Sequence, residues 1–190
     1  MKKEETDVVK ELELTLDPNV CYFGLELEFY SLEENEEKLN KFFEKLKLEK
    51  LGIPVEEEEL GGEFVTAPMT LKEMINFLDY CGNTFFSLTG EIIDEEECGL
   101  HIHMSKSKIA DLESMYNQII KDFKKYTEWF GGHSPHASLK TFEKAHIKGL
   151  RGRQMIAIRQ QTVEVRLFRA TKSIDKIKNY LNYLDGFVAK

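Results

Sequence analysis

Apolar residues recur at intervals of three and four positions in four stretches of the chain, a pattern that predicts four amphipathic helices. The second begins at Thr70, where Glu73 completes the spacing of a capping box, and we expect it to stop at Gly82-Asn83. The third is expected to be the longest, and the fourth to begin at Ser173. The apolar positions are, in chain order, Leu39, Phe42, Phe43 and Leu46; Leu71, Met74, Ile75 and Leu78; Ile109, Leu112, Tyr116, Ile119, Phe123 and Phe130; and Ile174, Ile177, Leu181 and Leu184.

Strand-forming residues bounded by turn residues predict the remaining elements. Residues 8–16 and 21–30 are rich in strand formers, and Asp17-Pro18-Asn19 between them favours a hairpin. Other strands are expected over residues 63–66, 84–88 and 99–105, and a strand pair over residues 154–171. Strands and helices interleave without a βαβ rhythm or a glycine-rich phosphate loop. The chain is therefore expected to be one α+β domain, residues 1–190, with a mostly antiparallel sheet.

Three of these strands alternate apolar residues with residues that carry chemistry. Because side chains on a strand point to opposite faces in turn, each polar pair shares one face and the aliphatic residues share the other. The pairs are Glu26 and Glu28, His101 and His103, and Glu164 and Arg166. A single sheet with one face packed on helices and the other open would line its open face with carboxylates, imidazoles and a guanidinium.

Each pair also has a simpler interpretation. Alternating glutamates are common on a half-exposed strand, two histidines can be ordinary core or surface residues, and Glu-x-Arg can be a cross-strand ion pair. Cys98 with His101 and His103 can be interpreted as a zinc cluster, but a fourth ligand and the usual cysteine pairing are missing. The joint occurrence of the pairs favours a shared site for Mg²⁺ or Mn²⁺ before Zn²⁺.

The two halves of the chain carry opposite charge. Residues 1–100 contain 9 basic and 26 acidic residues, a net charge of −17, whereas residues 101–190 contain 17 basic and 8 acidic residues, a net charge of +9; the whole chain has −8. A nucleic-acid-binding protein usually presents a dominant basic face, so nucleic acid is not an expected partner. A polyphosphate with its metal ions suits both halves, since carboxylates bind cations and basic residues bind phosphates.

Composition also predicts the compartment. No apolar run reaches the length of a membrane span, and the first residues, Met-Lys-Lys, are followed by acidic residues where a secretory signal would be apolar. Cys21, Cys81 and Cys98 are an odd and sparse set, typical of free thiols in a reducing compartment. We therefore expect a cytoplasmic protein without a membrane partner.

Four segments that contain these pairs resemble a known family. They are FGLELEF at residues 23–29, GEFVTAP at 62–68, CGLHIHMS at 98–105 and TVEVRLFRAT at 162–171. In this order they are similar to the four motifs of the amidoligases, carboxylate–amine ligases of the glutamine synthetase and glutamate–cysteine ligase superfamily. The resemblance covers residues 23–171. Two positions differ from the family pattern: Arg159 stands where an asparagine is common, and Ala170 replaces the glycine of an Arg-Gly-Thr ending.

The resemblance implies a fold, cofactors and residue roles. The fold would be a curved, mostly antiparallel half-barrel, with helices on its convex face and ATP with two or more Mg²⁺ (or Mn²⁺) ions in its concave face. His103 would lie near the acceptor carboxylate, and Arg166 would pair with the transferring phosphoryl group. Arg153 would contact nucleotide phosphate, and Arg169 is a further basic residue expected to hold nucleotide or another anion. The implied metal ligands are Glu26, Glu28, Glu63, His101 and Glu164, with Glu63 also among the catalytic residues.

The sequence therefore predicts an ATP- and Mg²⁺-dependent ligase that joins a carboxylate to an amine through an acyl phosphate, with small-molecule or peptide substrates. Two alternatives stay open: a non-catalytic module that binds peptide or nucleotide on the same fold, and a metal-dependent phosphohydrolase. Related ligases often assemble, so a homo-oligomer is also an expectation.

Overall fold

The helices and strands are those of a computed structural model that describes residues 5–30, 35–56, 61–89, 99–130, 137–138 and 153–189. The helices are α1 (Glu5–Glu11), α2 (Glu36–Leu48), α3 (Leu71–Leu88), α4 (Leu112–Lys125) and α5 (Ile174–Asp185), with a 3₁₀ turn at Lys106–Lys108. The strands are β1 (Phe23–Tyr30), β2 (Gly52–Glu56), β3 (Gly61–Thr66), β4 (Gly99–Ser105), β5 (Ala137–Ser138), β6 (Arg153–Gln154), β7 (Ile156–Ile158) and β8 (Thr162–Arg169).

Six strands form one sheet in the order β2-β3-β1-β4-β8-β7, and every neighbouring pair is antiparallel. Its two edge strands, β2 and β7, do not pair with each other, so the sheet is open. The two-residue strands β5 and β6 form a separate parallel pair. The expected α+β class with an antiparallel sheet is confirmed.

One face of the sheet forms the hydrophobic core. Phe64 of β3 stacks on Phe43 of α2 with ring centroids 5.2 Å apart and on Phe77 of α3 at 6.4 Å. Phe168 of β8 stacks on Tyr180 of α5 at 4.2 Å. Since α2, α3 and α5 thus cover the apolar face, the alternating polar side chains project to the opposite face. None of the described helices is both long enough and apolar enough to cross a bilayer.

Four expectations about individual elements were wrong. Val8 and Leu12 are buried with the i, i+4 spacing of a helix, and residues 5–11 form α1 rather than the first strand of a hairpin. Helix α3 continues through Gly82 to Leu88, so residues 84–88 are helical and α3, not α4, is the longest described helix.

Close packing explains why Gly82 lies inside a helix. A Cβ atom at this position would lie 2.9 Å from Cδ1 of Ile174, so the glycine lets α3 approach α5. The apolar spacing also continues beyond it, because Phe85 extends the stripe of Leu78 and Cys81. The chain follows this stripe because burying it outweighs the weak helix propensity of one glycine.

The capping box at the start of α3 is confirmed. The Thr70 side chain accepts a hydrogen bond from the Glu73 amide at 3.3 Å, and the Glu73 carboxylate accepts one from the Thr70 amide at 2.8 Å. Thr70→Ala is expected to lower the free energy of unfolding by about 1 kcal/mol, because it leaves an amide of the first turn without its cap. Denaturant unfolding measures this, with Ser87→Ala, a hydroxyl in the last turn of the same helix, as the control. A loss equal to that of the control would contradict the prediction.

The capping box also gives the stability of α3 a pH dependence. Hydrogen bonds from the Thr70 hydroxyl and amide lower the pKa of the Glu73 carboxyl. Because its folded-state pKa lies below the unfolded value, the carboxylate stabilises the fold above the unfolded pKa, and this contribution is lost as the pH falls through the folded pKa. The penalty of Thr70→Ala should therefore be smaller in acid than at neutral pH, which unfolding curves at both pH values can measure.

Candidate functional site

The polar pairs of three strands lie side by side on one face of the sheet. The register places Glu63 of β3 opposite Glu28 of β1, and Glu26 of β1 opposite His101 of β4. It also places His103 opposite Glu164 of β8. Residues that face each other across antiparallel strands have Cβ atoms about 5 Å apart, so the pairing brings the sets together. The structure thus assembles distant parts of the chain into one polar cluster.

Glu26 lies at the centre of this cluster. His101 Nδ1 donates to its Oε2 at 2.7 Å, and His103 Nε2 donates to its Oε1 at 2.7 Å. Burial alone raises the pKa of Glu26, but the two imidazole hydrogen bonds outweigh it and hold this pKa well below its usual value. Glu26 is therefore an ionised carboxylate that fixes the orientation of both histidines.

Glu164 is the most deeply buried carboxylate of the cluster, with 1% of its surface exposed. The guanidinium of Arg166 binds its Oε1, and Arg159 binds its Oε2 through Nε at 3.1 Å and Nη2 at 2.9 Å. Burial raises the pKa of Glu164. The charges of His103 and Arg166 lower this pKa by a larger amount, so the net shift is downward. Glu164 is thus ionised and held between two guanidinium groups.

The lack of a side chain at Gly99 leaves a small space between two candidate ligands, which a Cβ atom would fill. Its amide donates to Glu28 Oε2 at 2.6 Å. A Cβ atom at this position would lie 3.0 Å from His101 Nε2 and 3.3 Å from Glu28 Oε2. Because Nδ1 of His101 already donates to Glu26, Nε2 is the imidazole atom that faces this space.

Two groups of side chains in the described part of the chain have ligand atoms close enough to share a metal ion. Glu26, Glu63 and His101 form one group, and Glu26, His103 and Glu164 form the other; within each group the ligand atoms lie within 4.8 Å of one another. Carboxylate oxygens with one imidazole suit Mg²⁺ or Mn²⁺ better than Zn²⁺, for which thiolates and further imidazoles are usual. The donor set and the space beside Gly99 fit a hard divalent cation.

A β-bulge brings additional positive charge to the site. The register between β4 and β8 shifts between Leu100 and Ile102, so β8 has one residue more than β4 there. Leu100 pairs with Phe168, which is buried against the helices, while Arg169 pairs with Gly99 on the polar face. Without the bulge, Arg166 and Arg169 would point to opposite faces, because they are three residues apart.

Charge is therefore divided across the polar face. Carboxylates dominate on β3 and β1, and imidazoles occupy β4 between the two sides. Guanidiniums and a single carboxylate lie on β8 and the β7–β8 hairpin. We call the part on β3 and β1 the acidic half (Glu26, Glu28, Glu63). We call the part on β8 and the β7–β8 hairpin the basic half (Arg159, Glu164, Arg166, Arg169).

Sequence reasoning gave no site role to Arg159 or Gly99, although both lie in the cluster. The alternation along β7 could have indicated a place for Arg159 in the cluster. Arg159 lies two residues after Ala157 and shares its face, and Ala157 pairs with Glu164. The contact across the hairpin depends on the register, which the sequence does not specify. The side chain of Arg153 and the whole of Cys98 lie outside the described residues, so their expected roles stay predictions. Cys21 and Cys81 are free thiols, as expected.

Gly99→Ala is expected to weaken binding of a divalent cation by about 10–100-fold, because its methyl group would displace the side chains that face the space. Isothermal titration with Mn²⁺ measures the affinity. Gly82→Ala is the matched control, because it also adds a methyl group at a crowded glycine. Gly82 lies in α3, which packs on the apolar face of the sheet, opposite the polar cluster. If both variants bind Mn²⁺ like the wild type, the space beside Gly99 is not a cation site.

Comparison of this chain with protein-family models, with curated proteins and with solved structures finds no match.

Proposed function

We propose that this chain is an ATP- and Mg²⁺-dependent carboxylate–amine ligase that forms an amide through an acyl phosphate. The observation that carries the proposal is the division of one sheet face into an acidic half and a basic half, joined by His101 and His103. Together with the resemblance of the four motifs to the amidoligases, this arrangement suits a nucleotide polyphosphate with its cation. The proposal includes a curved half-barrel sheet, helices on its convex face and a cytoplasmic location.

The proposed reaction needs activation of the carboxylate. A carboxylate does not react with an amine at neutral pH, because oxide would be the leaving group. Transfer of the γ-phosphoryl group of ATP to the carboxylate gives an acyl phosphate, from which the amine displaces inorganic phosphate. Phosphoryl transfer asks the protein for alignment and positive charge more than for covalent chemistry, which agrees with a site of ligands and cations.

In this proposal the acidic half holds the cation. Glu26, Glu63 and His101 are the ligands, and Glu28 lies beside them at the space next to Gly99. Bound Mg²⁺ would supply charge neutralisation and orientation for the phosphates. The hydrogen bond from His101 to Glu26 fixes the imidazole ring before a ligand arrives, which reduces the reorganisation needed on binding.

The basic half would receive the phosphates. The contact with Glu164 orients the Arg166 guanidinium, which is largely buried and keeps its charge because that carboxylate raises its pKa. Arg169 lies on the same face by register, next to Gly99. By the resemblance, His103 lies nearer the carboxylate substrate, and its hydrogen bond to Glu26 fixes the ring orientation. Arg166 and His103 are thus held in place by partners before substrate binds, as electrostatic stabilisation of a transition state requires.

A substrate screen tests the proposal. Amino acids and short peptides are supplied in pairs as carboxylate and amine with MgATP, phosphate release is followed, and products are identified by mass spectrometry. We expect phosphate release that depends on both substrates, together with a condensed product whose mass is lower by one water than the sum of the two. ATP loss that is indifferent to any amine would indicate a phosphohydrolase instead. Metal-dependent ATP binding without turnover would indicate a non-catalytic binding module.

A further inference from the structure

Both carboxylate oxygens of Glu164 are already occupied by positively charged groups. Arg166 binds Oε1, while Nε and Nη2 of Arg159 both bind Oε2. The Glu164 side chain is 2% exposed, whereas that of Arg159 is 51% exposed. The Arg159 guanidinium therefore reaches from solvent to this buried carboxylate.

We propose that the site binds a single divalent cation, in the acidic half, and that the Arg159 guanidinium takes the place of a second one. Glu164 is then a positioning residue for two guanidiniums and not a metal ligand. This inference rests on the proposed function, which places a cation in the acidic half. It goes beyond that function because it excludes a metal ion from the group of Glu26, His103 and Glu164, which has the composition of a second cation site.

Charge explains why the guanidinium excludes a metal ion from this group. A divalent ion that bound Glu164 would have to break the two hydrogen bonds to Arg159 or lie against two guanidiniums that repel it. A charge-assisted contact through two donors is also among the stronger interactions that a carboxylate makes.

The β7–β8 hairpin builds this arrangement. Ala157 pairs with Glu164, and the Arg159 amide donates to Thr162 O at 2.8 Å where the hairpin turns. Arg159 is thus the diagonal neighbour of Glu164, at a separation that a long side chain spans. The small side chain of Ala157 leaves the space above Glu164 to the guanidinium. Arginine keeps its charge at every physiological pH, so this fixed cation is always present.

The site would then have one exchangeable positive centre, the metal ion, and one built-in positive centre, the Arg159 guanidinium. A phosphoryl group bound between the halves would be neutralised by a metal ion on one side and by Arg159 and Arg166 on the other. Occupancy of the basic half would not depend on the metal concentration.

Counting bound Mn²⁺ tests the inference. Free Mn²⁺ gives an electron paramagnetic resonance signal that is lost on binding, so a titration of the whole chain without nucleotide yields the number of sites. We expect one Mn²⁺ for the wild type and one for Glu164→Gln. We expect two for Arg159→Ala, in which Glu164 Oε2 is released. Lys106→Ala is the control, because Lys106 Nζ donates to the Arg159 carbonyl at 3.4 Å, so this variant removes a nearby positive charge without releasing Glu164.

Each outcome bears on a different claim. Two Mn²⁺ ions in the wild type, or loss of the ion in Glu164→Gln, would overturn the inference and leave the ligase proposal standing. A single ion in a folded Arg159→Ala, checked by circular dichroism, would overturn the role of Arg159. If Arg159→Ala does not fold, the wild-type and Glu164→Gln titrations still decide whether Glu164 is a ligand. A wild type that binds no Mn²⁺ would overturn both the inference and the metal dependence of the proposed function.

Discussion

Glu26→Gln is expected to weaken the binding of Mg²⁺ or Mn²⁺ by about 100-fold or more and to abolish metal-dependent ATP binding. The substitution keeps the size of the side chain but removes the charge that a cation needs at the centre of the cluster. It also replaces an acceptor for two imidazole N–H groups with an amide that has only one acceptor oxygen. Calorimetric titration with Mn²⁺, and with ATP in the presence and absence of Mg²⁺, measures both effects.

A matched control separates a specific loss from a general change in charge. Glu44→Gln makes the same substitution at an exposed position of α2, and it should leave both affinities as they are. Circular dichroism checks that the Glu26 variant keeps its fold. Nucleotide and metal affinities equal to those of the control would mean that Glu26 only orients the histidines.

Arg166→Lys is expected to reduce kcat by about 10²–10³-fold while changing the affinity for ATP much less. Arg166 approaches Glu164 through Nε, which fixes the plane of its guanidinium. The fork of N–H donors can then align with the oxygens of a transferring phosphoryl group, and a lysine ammonium reproduces the charge but not this geometry. Steady-state kinetics with the substrates found in the screen measure kcat, and a direct titration measures ATP affinity.

Comparison with Arg166→Gln separates charge from geometry at this position. The glutamine removes the charge and leaves Glu164 with one guanidinium fewer, so it should impair both ATP affinity and turnover. Equal losses of affinity and turnover in the lysine variant would indicate that Arg166 binds the ground state and the transition state alike. Full activity of the lysine variant would show that a point charge is sufficient.

Local rules account for the elements that the sequence predicted correctly. The capping box of Thr70 and Glu73 depends on residues three positions apart, and the alternation in β1, β4 and β8 has a fixed period. Both are properties of a short segment, and so they can be recognised without knowledge of the rest of the chain. The same alternation identified the polar residues that share the open face.

The errors arose where a distant contact outweighed a local preference. Gly82 is a weak helix residue, but its lack of a side chain lets α3 pack against α5, and the helix continues. Residues 8–16 have a composition typical of a strand, but residues 5–11 form helix α1, and this conformation buries Val8 and Leu12. In both regions the free energy of packing decided between two conformations that the local sequence permits.

By itself, the sequence determined that carboxylates, imidazoles and a guanidinium would share one face of an antiparallel sheet, because side-chain direction follows from strand periodicity. Only the tertiary structure decided how these groups pair. The bulge in β8 turns Arg169 to the same face as Arg166, and the β7–β8 hairpin brings Arg159 to Glu164. Register and bulges depend on the partner strand, and one strand does not contain that information. The sequence thus specifies which chemical groups are available, and the pairing of the strands specifies which carboxylates are free for a cation and which is held by arginine.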